Sequence, residues 1–485
     1  MTDVAQILIE DEVNIHIKNI DLPTKKALVN AVKFFLPQAR YSPAYKLGRW
    51  DGCTSFCTLG GKTYLNILDR LLPVLQDRGY EFEIEDQRAY HKFDFDTIDE
   101  NYLSDITWPH GHRFADEKII LRDYQIDAIN TCLQNLQGVN VLPTSAGKTL
   151  VTATLSKVVE PHGRTIVIVP NKNLVQQTEE DYRNIGLDVG VLYGDRKEYD
   201  RKHTICTWQS LNVLDKKHKD ALDNLQMDVF LKDLTAIIVD ECHAIKDLNI
   251  LHKLLTTVFK NIPIRWGLTG TIPEEEYKQM GLFTAIGPQI GILTAKELQD
   301  KGVLAQCHVT VLQTQETLQY GNYQEELKHL LTNDQRLTWM AGIIEEIANS
   351  GNTLVLVDRI ETGQKLYNQL SDSVFISGEM KSQDRREHYK EINFSDNKIM
   401  VATYGTTSTG INISRIFNLV LVEAGKSFVR TIQSIGRGLR MADDKDRVEI
   451  YDLCSRMKFS NNHLNKRKQF YNKAQYPYVI KKITY

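Results

Sequence analysis

The sequence Leu-Pro-Thr-Ser-Ala-Gly-Lys-Thr at positions 142–149 constrains this chain more than any other feature. An apolar run ends at Leu142 and another covers 151–155, so the pattern predicts a buried strand, a loop and a helix. Such a loop lets backbone N–H groups surround phosphate oxygens at a helix N-terminus, whose dipole favours anions. We therefore predict a phosphate-binding loop in which Lys148 reaches the β- and γ-phosphates and the Thr149 hydroxyl binds Mg²⁺.

The loop departs from the usual G-x-x-x-x-G-K-[ST] pattern, because Leu142 stands where the first glycine is expected. A bare Gly-Lys-Thr is also typical of an ordinary loop that leads into a helix. The phosphate-binding interpretation therefore depends on what else the chain carries.

Length and composition indicate a globular protein of several domains. The 485 residues leave room for about three domains, and 42% hydrophobic with 25% charged residues is typical of folded proteins. The net charge of −3 gives no global indication of nucleic-acid binding, so any basic surface must be local. The seven cysteines are scattered and the chain lacks a signal-like start, which favours a reducing cytoplasm. No apolar run is long enough for a membrane span.

Residues 1–105 are predicted to form a small α+β module, since strand-like runs flank an amphipathic helix predicted from residue 24 to 36. Within it, residues 41–52 interleave aromatic and basic side chains beside an Asp-Gly turn. Such a surface can stack bases and bind phosphates. A hairpin with a half-buried Trp50 explains the same residues without nucleic acid. The candidate contacts are Lys46, Arg49 and Trp50.

Residues 106–300 are predicted to form a parallel α/β domain, because short runs rich in Val and Ile alternate with helical patterns. Asp240 and Glu241 directly follow one such run, which places two carboxylates at the carboxyl edge of the sheet, where α/β proteins bind ligands. One carboxylate can hold Mg²⁺ while the next orients or deprotonates a water. Gln125, which precedes the phosphate-loop strand, can pair with the N6/N7 edge of adenine.

Residues 301–485 are predicted to form a second α/β domain that lacks a phosphate loop. Its stretch 433–440 carries Arg437 and Arg440 on one helical face, since residues three apart are neighbours on a helix. Such arginines can reach the γ-phosphate of a nucleotide bound elsewhere, and a surface helix with two solvated arginines is the alternative. The basic, aromatic tail from 456 suits either nucleic-acid binding or a helix and strand packed on this domain.

Taken in order, the motifs resemble those of superfamily 2 helicases. The resemblance covers residues from about 119 to the end, and it implies two RecA-like domains that bind ATP in their cleft and nucleic acid across their tops. The matching stretches are Gln125, 143–149, 240–243, 268–271, 403–412 and 433–440.

The resemblance also assigns roles to residues by position. It gives ATP hydrolysis to Lys148, Asp240, Glu241, Gln433, Arg437 and Arg440. It gives nucleotide contacts to Arg122, Gln125, Pro143, Thr144, Ser145, Ala146, Gly147, Lys148, Thr149, Gly410 and Asn412, and Mg²⁺ binding to Thr149 and Asp240. Asn412 departs from the family pattern, in which many relatives carry Asp.

Contacts with a tracking nucleic-acid strand follow from the same resemblance. Most such contacts are made to phosphate and sugar, so little sequence preference is expected. The residues implied are Pro170, Asn171, Lys172, Thr207, Trp208, Gln209, Thr403, Tyr404 and Thr409.

The N-terminal module narrows the resemblance. A Tyr-x-Pro stretch followed by Gly-Arg-Trp-Asp-Gly, ahead of a compact helicase core, is similar to the phage UvsW-type recombination helicases. This similarity implies an ATP-dependent DNA helicase for branched or forked DNA that acts in branch migration, fork regression and D-loop unwinding. It further implies a monomer in the cytoplasm of a phage-infected bacterium, with room for recombination-protein partners. Two other functions stay open: a duplex DNA translocase without strand separation, and an ATP-gated nucleic-acid sensor or scaffold.

Overall fold

The computed structural model of the chain describes residues 4–110, 114–143, 146–219, 224–246, 249–380, 382–407, 415–425 and 447–485. Two compact units form, one from residues 1–142 and 147–292 and the other from residues 143–146 and 293–485. Each large sheet is built mainly from parallel strands, with helices in the connections.

The first unit begins with a small mixed sheet of strand order β5-β2-β1-β6, beside a separate β3–β4 pair. Alternation along β2 buries Ile15 and Ile17 against α1 and α3. The strands are β1 (Val4–Ile9), β2 (Asn14–Lys18), β3 (Lys33–Phe35), β4 (Cys53–Ser55), β5 (Lys62–Tyr64) and β6 (Glu81–Asp86), and the helices are α1 (Leu22–Ala31), α2 (Pro43–Lys46) and α3 (Leu68–Asp77).

The helix predicted from residue 24 to 36 is wrong in its second half. The helix α1 starts earlier, because Asp21 accepts a hydrogen bond from the Thr24 N–H at 2.7 Å, and it ends at Ala31. The following residues form β3, which pairs with β4. Phe34 packs edge-on against Phe56 there, and such tertiary packing of aromatic residues favours a strand over continued helix.

The first unit also contains an eight-stranded sheet of order β10-β9-β11-β8-β12-β13-β7-β14, in which all neighbours are parallel except β9 and β10. Its strands are β7 (Gln137–Val141), β8 (Arg164–Val169), β9 (Val189–Tyr193), β10 (Arg196–Lys197), β11 (His203–Thr207), β12 (Leu234–Asp240), β13 (Ile264–Thr269) and β14 (Gln289–Ile292). Its helices are α4 (Asp123–Gln134), α5 (Lys148–Val159), α6 (Lys172–Asn184), α7 (Trp208–Lys219), α8 (Asn224–Leu231), α9 (Ile250–Lys253) and α10 (Glu276–Ala285).

The second unit contains a fully parallel seven-stranded sheet of order β17-β18-β16-β19-β20-β15-β21. Its strands are β15 (Gln306–Thr314), β16 (Thr353–Val357), β17 (Ser373–Ile376), β18 (Ile399–Thr403), β19 (Asn418–Val422), β20 (Arg447–Ser455) and β21 (Tyr478–Ile483). The helices described in it are α11 (Ala295–Asp300), α12 (Tyr323–Thr332), α13 (Asp334–Ala348), α14 (Ile360–Tyr367), α15 (Ser382–Asn393), α16 (Tyr404–Thr407) and α17 (Lys458–Lys473).

The predicted fold class, two tandem parallel α/β domains after a small α+β domain, is confirmed by these sheets. The strands at the centre of each large sheet are buried on both faces, as expected where helices cover both sides. The domain limits at residues 105 and 300 stay predictions; the small N-terminal sheet groups with the first large sheet.

The C-terminal tail folds as a helix and a strand. Strand β21 runs parallel to β15, with Tyr478 opposite Val309 and Ile483 opposite Thr314, which confirms the packed-strand interpretation and leaves DNA binding by the tail open. Among the described residues, every helix is too short or too polar to cross a lipid bilayer.

Candidate active site

Three neighbouring strands bring the predicted catalytic motifs to one edge of the first large sheet. The phosphate loop follows β7, Asp240 ends β12, and Thr269 ends β13. Because β12, β13 and β7 are adjacent and parallel, their carboxyl ends lie side by side. A hydrogen bond of 2.8 Å from the Leu142 N–H to the Thr269 carbonyl ties the start of the loop to this edge.

Gly147 gives the phosphate loop its shape. Its backbone is left-handed, with φ +78°, and it stands directly before Lys148, the first residue of α5. A Cβ atom at this position would lie 2.4 Å from Nε2 of Gln125. A side chain is therefore disfavoured both by the backbone conformation and by the close approach of Gln125. Thr144 and Ser145, which were predicted to contact nucleotide, lie outside the described residues.

Lys148 reaches the predicted catalytic carboxylate. Its Nζ lies 3.3 Å from Oε1 of Glu241, and both side chains are largely buried. On the other side of Glu241, Nδ1 of His243 lies 3.2 Å from Oε2 and 2.9 Å from the hydroxyl oxygen of Thr269. That hydroxyl donates to the Thr271 carbonyl at 2.9 Å, which leaves it free to accept a hydrogen bond from Nδ1 of His243.

The two adjacent carboxylates have different pKa values because their surroundings differ. Burial, followed by the charge of Glu241, raises the pKa of Asp240 to about 6. Burial also acts to raise the pKa of Glu241, but Lys148 and His243 outweigh it and lower that pKa to about 2. Glu241 is therefore ionised at neutral pH, and a proton taken up by the pair goes to Asp240.

Gln125 and Arg122 form the N-terminal cap of α4, beside the phosphate loop. The Gln125 side chain accepts a hydrogen bond from the Arg122 N–H at 3.1 Å, so it satisfies a backbone donor at the start of the helix. Nη1 of Arg122 donates to the Tyr124 hydroxyl at 3.0 Å. Gln125 is buried at the side of Gly147, and its role in recognising adenine stays a prediction.

The predicted strand-tracking residues of the first unit lie further along the same edge. Asn171 caps α6 by accepting from the Leu174 N–H at 3.1 Å, directly after β8. Thr207 ends β11, is buried, and its hydroxyl lies 3.1 Å from that of Ser210. Strands β8 and β11 are neighbours with Thr207 opposite Val169. The structure therefore places these predicted contacts together: Pro170, Asn171, Lys172, Thr207, Trp208 and Gln209.

Sequence reasoning missed a cluster at the neighbouring strand end. Tyr193 closes β9, and the Lys172 ammonium and the Arg196 guanidinium stand 5.6 and 5.7 Å from its ring centroid. Arg196 also pairs with both carboxylate oxygens of Glu179 at 2.8 Å. The available signal was the Tyr-Gly-Asp-Arg run after an apolar strand, which resembles an ordinary hairpin turn in the sequence.

In the second unit, Thr403 ends β18 in the same manner as Thr207 ends β11. Its hydroxyl lies 2.7 Å from that of Thr406, and it accepts from the Thr406 N–H at 3.3 Å. The side chain of Tyr404 is buried, so a nucleic-acid contact at this position would come from the main chain. The remaining predicted site residues of this unit lie outside the described residues: Thr409, Gly410, Asn412, Gln433, Arg437 and Arg440.

The N-terminal module carries an exposed basic and aromatic surface, formed by residues 40–50. Lys46 and Arg49 are exposed, while Trp50 is half-buried and donates from Nε1 to the Cys53 carbonyl at 3.0 Å. Tyr41 and Leu47, which were not singled out, are 82% and 65% exposed. Aromatic and basic groups are thus exposed together here, and the nucleic-acid contact predicted for Lys46, Arg49 and Trp50 stays a prediction.

Two protein-family models match parts of the chain. Residues 118–274 match the family described as type III restriction enzyme, res subunit, and residues 335–442 match the helicase conserved C-terminal domain. Over 457 residues the chain is 23% identical to the ATP-dependent DNA helicase uvsW of Enterobacteria phage T4, covering 89% of this chain and 87% of that one. The chain is an ATP-dependent superfamily 2 DNA helicase.

This helicase also resembles proteins outside the phages. It is 26% identical over 347 residues to the putative DNA 3'-5' helicase Rad25 of Haloarcula marismortui, which covers 68% of this chain but only 52% of that relative. The helicase domain of Hef from Pyrococcus furiosus shares its fold, with a TM-score of 0.51 and 15% identity over 72% of this chain and 98% of the other.

Proposed function

We propose that this helicase uses ATP hydrolysis to remodel branched DNA, in branch migration of four-way junctions, fork regression and D-loop unwinding during recombination, repair and replication. The observation that carries the proposal is the presence, in one compact unit, of the Lys148–Glu241 site and the exposed basic, aromatic surface of the N-terminal module. The phage relative described as an ATP-dependent DNA helicase supports it.

In the proposed mechanism, the backbone N–H groups around Gly147 and the Lys148 ammonium bind the phosphates of ATP. A phosphate would compete with Glu241 for Lys148, since the two groups are only 3.3 Å apart. Released from Lys148 and held by His243, the Glu241 carboxylate orients and deprotonates the attacking water.

The residues at this edge fit Mg²⁺. Asp240 is a carboxylate beside the loop, its pKa is raised by burial, and a nearby cation would favour its charged form. Thr149 offers a hydroxyl from the first turn of α5. We propose that these two residues hold the ion, which supplies neutralisation of phosphate charge. Gln433, Arg437 and Arg440 are proposed to act on the γ-phosphate, by resemblance to the family.

The strand-tracking contacts are proposed to lie along the carboxyl edge of each sheet. In the first unit, the Asn171 cap leaves the N-terminus of α6 directed to this edge, and a helix N-terminus suits a DNA phosphate. Lys172 is exposed nearby. Because these groups would bind phosphate rather than bases, binding should weaken steeply with salt and depend little on sequence.

Branched DNA is proposed to be recognised by the surface of residues 40–50. The module that carries it is fixed to the first large sheet: Nζ of Lys260 lies 3.3 Å from Oδ2 of Asp11, and Nδ2 of Asn14 donates to the Thr256 carbonyl at 3.0 Å. These contacts tie the surface to the first large sheet within one compact unit, and we propose that translocation carries it against the branch point.

The experiment that tests the proposal is ATP-dependent conversion of a mobile four-way DNA junction, beside a tailed DNA duplex and an RNA duplex, with Lys148→Ala as control. Fast conversion that the control lacks is the expected result. ATP consumption on DNA without movement of any strand would overturn the helicase assignment in favour of a translocase or a sensor, and equal activity on the RNA duplex would overturn the DNA preference.

A further inference from the structure

The aromatic residues in the later part of the C-terminal tail are used for packing. Phe470, Tyr471 and Tyr476 are buried. The Tyr485 ring stacks on Trp339 of α13, with 5.3 Å between the ring centroids. A nucleic-acid contact by the tail therefore has to come from the part of the tail that begins α17.

The beginning of α17 brings a lysine and an aromatic ring to the carboxyl edge of the second large sheet. The helix starts shortly after β20 ends, and all strands of this sheet are parallel. Lys458 is exposed and Phe459 is half-buried, and Nζ of Lys458 lies 5.3 Å from the centroid of the Phe459 ring. Thr403, a predicted strand contact, ends β18 at the same edge.

The helix α12 adds a second aromatic ring and a link to β16. The ring centroid of Tyr323 lies 6.3 Å from that of Phe459 and 4.8 Å from that of His463. The next residue, Gln324, accepts a hydrogen bond at 2.9 Å from Nη2 of Arg359, which follows β16. Because β16 is the neighbour of β18, these side chains extend toward the strand that carries Thr403. We call Tyr323, Lys458, Phe459 and His463 the tail cluster.

The first turn of α17 is fixed by hydrogen bonds to buried groups. The Glu326 carboxylate accepts from the N–H groups of Phe459 and Ser460, at 3.1 and 2.7 Å. The Ser460 hydroxyl donates at 2.6 Å to Glu423, which forms a buried ion pair of 2.6 Å with Arg336. The rings of the tail cluster are therefore held in place before a ligand binds, which lowers the entropic cost of binding.

The chemistry of the tail cluster favours an unpaired strand over a duplex. Charge alone does not favour DNA there, because Glu325 and Asp358 are exposed beside Gln324 and Arg359. An aromatic ring can add to the binding by stacking on a base, and an unpaired strand offers its base faces for this contact. A lysine beside such a ring can bind the phosphate of the stacked nucleotide.

We propose that the tail cluster binds an unpaired DNA strand, with a base stacked on Phe459 and the adjoining phosphate at Lys458. The inference rests on the proposed function, in which the helicase separates strands and so exposes their bases. It adds a contact outside the stretches by which the chain resembles superfamily 2 helicases, since the tail cluster belongs to α12 and α17.

The test measures binding of two labelled ligands to the full-length protein without ATP. One ligand is a short oligothymidylate, which cannot pair with itself, and the other is an abasic deoxyribose phosphate chain of the same length. Phe459→Leu removes the ring and keeps an apolar side chain, and Lys458→Gln removes the charge. The control is Phe394→Leu, because Phe394 is 88% exposed and lies between α15 and β18, at the amino-terminal edge of the same sheet.

We expect Phe459→Leu to weaken binding of oligothymidylate by about tenfold and to lose most of the preference for this ligand over the abasic chain. Lys458→Gln should weaken binding of both ligands, and the slope of log affinity against log salt should fall by about 0.7, for one phosphate on a single strand. Fluorescence anisotropy over a salt series measures these quantities, and thermal unfolding checks that each variant is folded.

Either variant would overturn the inference by binding both ligands as Phe394→Leu does, with the same salt slope. If Phe459→Leu does not fold, the salt slope of Lys458→Gln decides, because Lys458 is exposed.

Conversion of a four-way junction by the parent protein separates this inference from the proposed function. If the parent converts no junction but Phe459→Leu loses the preference for bases, the proposed function is wrong and the tail cluster stands. If the parent converts junctions and both variants bind as the control does, only the role of the tail cluster is wrong.

Discussion

The Lys148 ammonium and the Glu241 carboxylate lie 3.3 Å apart at the carboxyl edge of the first large sheet. This contact lowers the pKa of Glu241 although burial opposes it. Each group therefore satisfies the other until a phosphate competes for the lysine. Binding of ATP would then also release the proposed catalytic carboxylate. Substitution of Glu241 should therefore preserve ATP binding, whereas substitution of Lys148 should remove a phosphate contact.

Glu241→Gln should bind ATP at least as tightly as the parent protein and hydrolyse it about 10²- to 10⁴-fold more slowly, because the general base is lost. The amide no longer draws Lys148 away from the phosphates, so affinity is retained. Equilibrium binding of labelled ATP and single-turnover hydrolysis measure the two quantities. A variant that hydrolyses ATP at the parent rate would contradict the role given to Glu241.

Lys148→Ala should abolish ATP hydrolysis and leave DNA binding within about threefold, because DNA contacts are made by other strand ends. Lys157→Ala, in the last turn of the same helix, is the matched control and should turn over ATP normally. Steady-state ATPase and fluorescence anisotropy with DNA check both. Equal losses in the two variants would indicate damage to α5 rather than a phosphate contact.

The substitution Gly147→Ala should introduce both backbone strain and a clash with a neighbouring side chain. A second glycine, Gly186, allows the two effects to be measured separately. A left-handed backbone disfavours alanine by about 1 kcal/mol or more, and the new Cβ at Gly147 would also meet Gln125 at 2.4 Å. Gly186 has nearly the same backbone, φ +76°, with open space around it. Gly186→Ala should therefore lose stability only, whereas Gly147→Ala should also lose ATP affinity. Thermal unfolding and nucleotide titration distinguish them, and equal ATP affinity in both variants would refute the account.

Much of the first active site could be predicted from the sequence because its motifs are local. Lys148, Asp240 and Glu241 each follow an apolar strand, and parallel strands end at one edge. The sequence therefore predicted that these side chains would meet, and the structure places Lys148 and Glu241 in contact. The chemistry assigned to them stays a prediction.

The features that sequence reasoning missed depend on long-range packing. Arg336 and Glu423 are 87 residues apart, and neither carries a local pattern that indicates a buried pair. Strand β3 was missed for the same reason. An apolar stretch of this length is compatible with helix or strand, and its pairing with β4 determines that it is a strand. The attachment of Asp11 to Lys260 likewise has no signal in either segment.

The surface of residues 40–50 can be tested with substitutions of exposed side chains, which should leave the fold intact. Tyr41→Ala combined with Lys46→Gln and Arg49→Gln should weaken binding of forked DNA by at least about tenfold, since base stacking and phosphate contacts are both lost. The slope of log affinity against log salt should fall by about 1.8, for two phosphates. Fluorescence anisotropy over a salt series measures both.

The control for that surface is Tyr90→Ala, because Tyr90 is also strongly exposed, at 89%, but follows β6 and lies outside residues 40–50. It should bind forked DNA as the parent does. Trp50→Ala also tests the surface, although Trp50 supports the loop through Cys53. Unchanged binding in both the triple variant and Trp50→Ala would refute the proposed contact with branched DNA.

The last prediction concerns pH and the first unit. His252 is buried beside Tyr64 of the N-terminal module, and its Nε2 lies 3.0 Å from the Thr284 hydroxyl. Burial, assisted by the positive charge of Arg265, lowers the pKa of His252 to about 4, against about 6.5 in an unfolded chain. The contribution of neutral His252 to the free energy of unfolding is fully present above pH 6.5. It is lost as the pH falls toward 4, because in this range only the unfolded chain takes up the proton. The loss amounts to about 3 kcal/mol.

His252→Gln removes this titration and keeps a side-chain amide that can donate to Thr284. We expect the parent protein to lose more stability than His252→Gln between pH 6.5 and 4, while the difference between them is constant from pH 7 to 8. Denaturant unfolding followed by tryptophan fluorescence is suitable, since Trp50, Trp108, Trp208 and Trp266 belong to the first unit. If stability depended on pH in the same way in both proteins, His252 would take up its proton in the folded state as readily as in the unfolded chain. The lowered pKa of His252 would then be wrong.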